Sequence, residues 1–269
     1  MKTKLLIAML LVSLTGMAQE LFVFTEPASN MAAKSIGLRL NNYIMPEKYT
    51  DEINYHLVPE IMLGVSKRLM VHGDVFLSNR NKAFAAEGGS IYAKYRFLSN
   101  DQVQKHFRMA AFGRYSFNNS DIHQEEINLY GHNSGYEAGI IATQLLHKVA
   151  ISSGLSFVKA MDNGSQNKLT YGTPDSKAIN YTLSFGKLML PKEYTDYKQT
   201  NVNLMVEFLN QLNLGSGKYY MDVAPSVQFI FNSVARVDIS YRKELSSTLF
   251  RTAPEGFFVR LEYNLFNAF

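Results

Sequence analysis

The stretch YYMDVAPSVQFIF, residues 219–231, is built on a period of two. Tyr219, Met221, Val223, Pro225, Val227, Phe229 and Phe231 share one parity, while Tyr220, Asp222, Ala224, Ser226 and Gln228 share the other. Alternation of this kind marks an extended strand with one apolar and one polar face, a pattern that a helix cannot satisfy. INYTLSFG sets Ile179, Tyr181, Leu183 and Phe185 against Asn180, Thr182, Ser184 and Gly186, and FFVRLEYNLFNAF sets Phe257, Val259, Leu261, Tyr263 and Leu265 against Arg260, Glu262 and Asn264. About twelve such segments follow one another, near 34–45, 53–66, 70–78, 88–97, 107–117, 134–146, 149–160, 178–190, 201–210, 218–231, 234–243 and 257–269. Each is close to the length of a tilted strand that crosses a bilayer.

Alternating strands build soluble sandwiches as well as membrane barrels. Charged residues fall on the less apolar face, deep within the segments: Glu60, His72, Asp74, Lys94, Arg96, Arg108, Arg114, Glu207, Asp222, Arg236, Asp238, Arg260 and Glu262. That face is the solvated exterior of a sandwich or the lumen of a barrel, so the charges alone do not decide. Connection lengths do. Turns at 67–69, 147–148 and 232–233 are minimal, and those at 118–133, 161–177 and 244–256 are long, on the opposite end if the strands run up and down in order. Outer-membrane barrels have short periplasmic turns and longer external loops, whereas Greek-key sandwiches have no such rule. Turns near 98–106 and 191–200 are longer than the rule favours without altering the parity. The expected fold is all-β: a closed antiparallel up-and-down transmembrane β-barrel of about 12 strands.

The first hairpin gives a register to test. A three-residue turn at Lys67, Arg68 and Leu69 would pair Ser66 with Met70 and set Pro59, Ile61, Leu63 and Val65 beside Leu77, Val75, Gly73 and Val71. A two-residue turn would send His72 and Asp74 into lipid, which is costly near the midplane. The segment 134–146 fits less well, because Ile141 and Leu145 point inward and Gln144 outward.

The N-terminal stretch has Lys2 and Lys4, an apolar run over residues 5–12, then Gly16 and Ala18 before Gln19. This is the layout of a cleavable signal peptide over 1–18, too short for a bilayer-spanning helix of about 20 residues. Residues 19–33 are then a periplasmic or plug segment, and 34–269 the barrel. Without Lys2 and Lys4 the 27 basic residues become 25 against 23 acidic ones, leaving no electrostatic case for nucleic acid. With no cysteine, disulfides and thiolate metal sites are excluded. A mean hydropathy of −0.12 would pass for a soluble protein, so hydropathy does not reveal the strands.

Phe269 is in phase with Leu261, Tyr263 and Leu265, where lipid-facing aromatics form the interfacial girdle. The alternating C-terminal strand with its final Phe resembles the signal read by the barrel assembly machinery of bacterial outer membranes. ELFVFTEPASNMAAKSIGLRL, GGSIYAKYRFLSN and INYTLSFGKLMLP resemble a family of transporter-like outer-membrane barrels of the Bacteroidota. The resemblance implies an outer-membrane location in contact with lipid and carries over no catalytic motif.

About twelve strands lie between the filled lumen of eight and the aqueous channel of sixteen or more. The expected function is a passive channel or transport component for a small solute. A structural or adhesive barrel with a plugged lumen is the alternative, and an outer-membrane enzyme the third reading. Asp222, Arg236, Asp238, Arg242, Arg260 and Glu262 are mixed in sign, which suits either a lattice of ion pairs or a charged constriction. Lys94, Arg96, Arg108 and Arg114 are one-sided and suit an anionic solute, unless Glu60, Asp74 or Glu137 neutralises them. His72 with Asp74, and Glu60 across the hairpin, is the pair closest to general acid–base chemistry, although a lone His-x-Asp is a weak signal and no GxSxG occurs. The loop at 120–133 carries Asp121, His123, Glu125, Glu126 and His132, donors that suit a divalent transition metal, while solvation alone explains a polar loop. Twelve methionines leave a copper-related role open. No cofactor is expected.

Overall fold

Alternation is realised as strands wherever the sequence places it. In the computed structural model, which describes residues 22–80, 83–164, 175–193, 196 and 198–269, twelve antiparallel strands close into one barrel. They are β1 (Ser35–Pro46), β2 (Ile53–Gly64), β3 (Leu69–Ser78), β4 (Ala85–Gln102), β5 (Lys105–Asn118), β6 (Ser134–Leu146), β7 (Val149–Met161), β8 (Lys177–Leu190), β9 (Asn201–Asn213), β10 (Tyr219–Phe231), β11 (Ala235–Ser247) and β12 (Gly256–Leu265). Each pairs with its neighbours in sequence, and β1 pairs with β12 from Ile36 opposite Leu265 to Ile44 opposite Phe257. Closure leaves no edge strand, so every strand has a hydrogen-bonding partner on both sides, as a hydrocarbon environment demands.

The two faces differ as a barrel in lipid requires. Ile61, Ile91, Ile140, Leu204, Ile239 and Leu261 are exposed on the outside, and Glu60, Lys94, Glu207, Asp222, Asp238 and Arg260 are buried on the inside. The loops at 119–133 and 248–255 lie at one end, with residues 162–164 and 175–176 that follow β7 and precede β8, opposite the turns at 65–68, 147–148 and 232–234. The predicted signal peptide and most of the 161–177 loop lie outside the described residues.

Three details depart from the sequence reading. First, the β2–β3 register is displaced by two residues: Ile61 pairs with Gly73 and Leu63 with Val71. The Ser66 hydroxyl accepts the N–H groups of Arg68 (3.2 Å) and Leu69 (3.0 Å), which caps a turn at 65–68 that begins two residues earlier than expected. Because two residues is one full pleat, every side chain keeps its face. Second, β4 and β5 run on to Gln102 and Lys105, so the expected long turn at 98–106 reduces to residues 103–104, with a bulge between Arg96 and Leu98. Third, β12 ends at Leu265, Asn267 has a positive φ of 52°, and the Ala268 N–H donates to the Lys34 carbonyl at 2.8 Å. Phe269 is exposed but is not part of the strand, so its expected phase with Leu261 does not extend to it.

Candidate functional site

Cross-strand register places the lumenal charges beside one another. Arg39 on β1 stands opposite Glu60 on β2 and Glu262 on β12, and Asp238 on β11 stands opposite Arg260. The ion pairs follow. Arg39 reaches Glu262 at 2.9 Å and Glu60 at 3.3 Å, Arg236 reaches Glu262 at 3.0 Å and Asp238 at 3.1 Å, and Arg260 lies 3.7 Å from Asp238. Nearer the end that carries the 119–133 and 248–255 loops, Asp222 is held by Arg242 at 2.6 Å and Arg251 at 2.7 Å. Charges taken out of water persist only with such partners, and here one network runs over β2, β1, β12 and β11 from Glu60 to Arg260, while a second joins Asp222 of β10 to Arg242 of β11, Arg251 and Glu126.

The cations of β4 and β5 do not form the one-sided patch read from the sequence. Lys94 is tied to Glu26 (3.2 Å) and the Pro27 carbonyl (2.8 Å), whereas Arg96 donates to the Lys67 carbonyl (2.7 Å) in the β2–β3 turn. Arg108 is bonded to Asp101 (2.9 Å) and Ser29 (3.0 Å). Arg114 meets Asp74 (3.2 Å) and Ser90 (2.7 Å), with its guanidinium 5.1 Å from the Tyr92 ring and 4.9 Å from the Tyr130 ring. Nor do His72 and Asp74 work as a pair. The imidazole Nδ1 lies 2.5 Å from Glu60, while Asp74 serves Arg114 and Ser90.

Residues 22–31 fold back into the lumen. Glu207 on β9, fully buried, accepts the N–H groups of Val23 (2.7 Å), Phe24 (3.0 Å) and Thr25 (2.9 Å) and the Thr25 hydroxyl (2.7 Å). Arg260 donates to the carbonyls of Phe22 and Val23, and Thr143 accepts the Ala28 N–H at 2.9 Å. Irregular backbone inside a barrel has no ladder to join, so these side chains satisfy it instead. Phe22 and Val23 pack with Ala150, Met205 and Phe258, with Leu145 against them, and Ala28 packs with Ala110 and Ile141. The inward-facing Ile141 and Leu145, out of place on a bare lumen wall, are thereby explained. Gln144 donates to the carbonyls of His106 and Leu145, both at 3.0 Å. Alternation places Glu207 among the lumenal charges but does not mark it or Thr143 as an anchor of residues 22–31; the signal in the sequence that something lies against this wall is the pair of inward apolar residues, Ile141 and Leu145.

The loop at 119–133 enters from the other end. The main chain of Ile127 exchanges two 2.8 Å hydrogen bonds with the Gln211 side chain, and the Ser116 hydroxyl donates to the Leu129 carbonyl at 2.5 Å. Tyr130 donates to Glu60 at 3.1 Å and accepts from Asn41 at 2.6 Å. Gly131 sits at φ +108°, a conformation that L side chains rarely adopt, and its carbonyl accepts from Arg80 at 3.2 Å. Burial pushes the Glu126 carboxyl up, but Arg251 (2.6 Å) and Arg242 (3.3 Å) more than offset this and hold it below the usual range. Burial, with Arg80 and His56 nearby, holds the His132 imidazole well below its ordinary value, and its ring stacks on His56 at 5.0 Å. The expected metal donors are thus dispersed. Glu125 bonds Lys218 (2.5 Å) and the Phe250 N–H (2.8 Å), Asp121 is exposed, and His123 is part-exposed. Among the described residues, no three His, Asp or Glu side chains converge as a metal site.

Between the N-terminal segment and this loop lies a cavity of about 270 Å³, bordered by Phe24, Tyr43, Phe112, Glu137, Thr182 and Tyr220 among others. No family model matches the chain, and no curated protein sequence matches it. Among solved structures, the COG4313 outer membrane channel from Pseudomonas putida F1 superposes with a TM-score of 0.55 at 11% identity, over 90% of this chain and 99% of that one. OccAB2 of Acinetobacter baumannii gives 0.40 at 12% identity over 84% of this chain and 59% of that one, and OprD of Pseudomonas aeruginosa 0.39 at 7% identity over 91% and 99%. The likeness to the first of these is one of architecture, and this chain has the fold of an outer-membrane β-barrel.

Proposed function

We propose that this protein sits in the outer membrane and passes a small solute through its lumen, with residues 22–31 and the 119–133 loop as constrictions on either side of a selecting cavity. The observation that carries this reading is the cavity itself. A lumen packed only for stability would be filled by side chains, whereas space for a molecule remains between two separately anchored segments. That the P. putida protein is described as a channel agrees with this reading, as does the resemblance to transporter-like barrels of the Bacteroidota.

Single-channel recording from refolded residues 19–269 in a planar bilayer tests it. Discrete, reproducible openings are expected, larger once residues 22–31 are deleted. Silence from both proteins, each shown to be folded, would refute passage and leave a plugged barrel acting through its loops. The many anchors of the N-terminal segment favour that second reading, and the deletion separates the two.

A further inference from the structure

The lumen is asymmetric. Its two ion-pair networks draw on β10, β11, β12, β1 and β2, while the inward positions of β6, β7 and β8 include Gly139, Gly154, Ser156, Asn180 and Thr182. Register sets Gly139 opposite Ser156, Ser156 opposite Asn180 and Gly154 opposite Thr182, so the small residues form one continuous area of wall. Glu137, Gly139, Gly154, Asn180 and Thr182 face inward yet keep partial exposure, as residues do that front open space. Glu137 accepts hydrogen bonds from the Ser156 hydroxyl at 2.5 Å and the Asn180 amide at 3.4 Å, and Arg114 stands directly opposite it in the β5–β6 register, so its charge is also accompanied.

The cavity's charges balance. Glu26, Glu60, Glu126 and Glu137 border it, as do Arg39, Arg114, Arg242 and Arg260. The arginines are engaged by carboxylates: Arg39 with Glu26 at 3.1 Å, Arg114 with Asp74 at 3.2 Å, Arg242 with Asp222 at 2.6 Å and Arg260 with Asp238 at 3.7 Å. Fixed charges that neutralise one another leave little net field to draw in an ion, and an ion stripped of water there finds no free counter-charge. A neutral solute loses less, provided its hydroxyl groups are bonded again. Hydroxyl, amide and carboxylate groups line one wall, and the rings of Tyr43, Phe112 and Tyr220 supply apolar surface to the same cavity. At about 30 Å³ per water, 270 Å³ is the share of roughly nine waters, room for on the order of ten to twelve non-hydrogen atoms.

We infer that the solute selected here is a polyhydroxylated molecule without net charge, about the size of a monosaccharide, hydrogen-bonded along the β6–β8 wall by Glu137, Ser156, Asn180 and Thr182. This deepens the proposed function and rests on it. The test is swelling of proteoliposomes in glycerol, D-glucose, D-gluconate and D-glucosamine, the last three sharing one carbon skeleton with charges of zero, minus one and plus one. Glucose is expected to enter at least about tenfold faster than either charged analogue. Thr182→Val and Glu137→Gln should each slow glucose by about fivefold, the effect of one lost hydrogen bond.

Gluconate or glucosamine entering as fast as glucose would overturn the inference. So would exclusion of glucose while glycerol passes, or glucose entry unchanged in both variants. If not even glycerol passes through folded protein, passage itself fails and this inference with it. The glycerol arm therefore separates the two failures.

Discussion

Replacing Glu207 tests whether the N-terminal segment is a latched plug. One carboxylate accepts four donors from residues 23–25, at 2.7 to 3.0 Å, with its own surface fully buried. Hydrogen bonds to a charged group contribute about 1.5–3 kcal/mol each, so four come to about 6 kcal/mol at the lower bound. The donors share two oxygens and are not independent, which reduces the sum to about 4 kcal/mol, roughly a thousandfold in the docking equilibrium. Glu207→Ala should release the segment by about that factor. Glu207→Gln keeps one oxygen for Val23 and Phe24 but turns an amide N–H towards Thr25, so a loss of about 2 kcal/mol, roughly thirtyfold, is expected. The native chain has no cysteine, so Ala28→Cys introduces a single thiol at a fully buried position. Its rate of modification by a small thiol reagent reports release directly. Expected is slow labelling on the Ala28→Cys background, faster labelling with Glu207→Gln added and fastest with Glu207→Ala, with conductance rising in the same order. Equal labelling in all three folded proteins would show that the segment is held by something other than Glu207.

Arg39→Ala leaves Glu60 and Glu262 buried without their shared cation, and a loss of about 3–5 kcal/mol in unfolding free energy by urea titration in detergent is expected. Ile140→Arg puts a charge on the exposed, lipid-facing centre of β6 and should cost about 2–4 kcal/mol in the same assay, whereas inward Thr182→Val should cost far less. Glu126 sets a pH dependence. Its carboxyl is held below its ordinary value near 4.5, so the anchoring it gives the 119–133 loop is complete above that value and is lost as pH falls through the lowered one. Hydrogen exchange at the Ile127 amide, corrected for its intrinsic pH dependence, should accelerate on acidification in the wild type and be already fast at neutral pH in Glu126→Gln.

The barrel is legible because its governing signal is local. Each strand writes its own alternation, as at 219–231, and a two-residue register error in the β2–β3 hairpin does no harm to the assignment of faces. Strand ends were less legible: nothing in the alternation of FFVRLEYNLFNAF announces the positive φ at Asn267 that ends the regular path. The lumen's contents were not legible at all from periodicity, because the contacts that fill it are remote. Val23 finds Glu207 across 184 residues, and Ile127 finds Gln211 across 84. Ile141 and Leu145 carried the trace of the plug, readable only once something was known to lie against them. The cations of β4 and β5 misled for the same reason. Their faces were right, and Arg114 does meet Asp74, one of the neutralising carboxylates the sequence offers, but Lys94, Arg96 and Arg108 find Glu26, a turn carbonyl, and Asp101 with Ser29, partners that no strand pattern encodes.

The position of Glu207 also bears on the order in which the molecule can be put together. The segment that it grips precedes β1, yet its anchoring carboxylate belongs to β9, and the ring is completed by β12 meeting β1. A nascent sheet lacking β9 offers residues 23–25 no such acceptor, so the part of the described chain that comes first can be gripped only after most of the strands have been laid down. The Val23–Glu207 contact spans 184 residues and, like the seam between β1 and β12, is among the contacts of longest sequence separation that the topology contains, the kind that costs the most loop entropy to form.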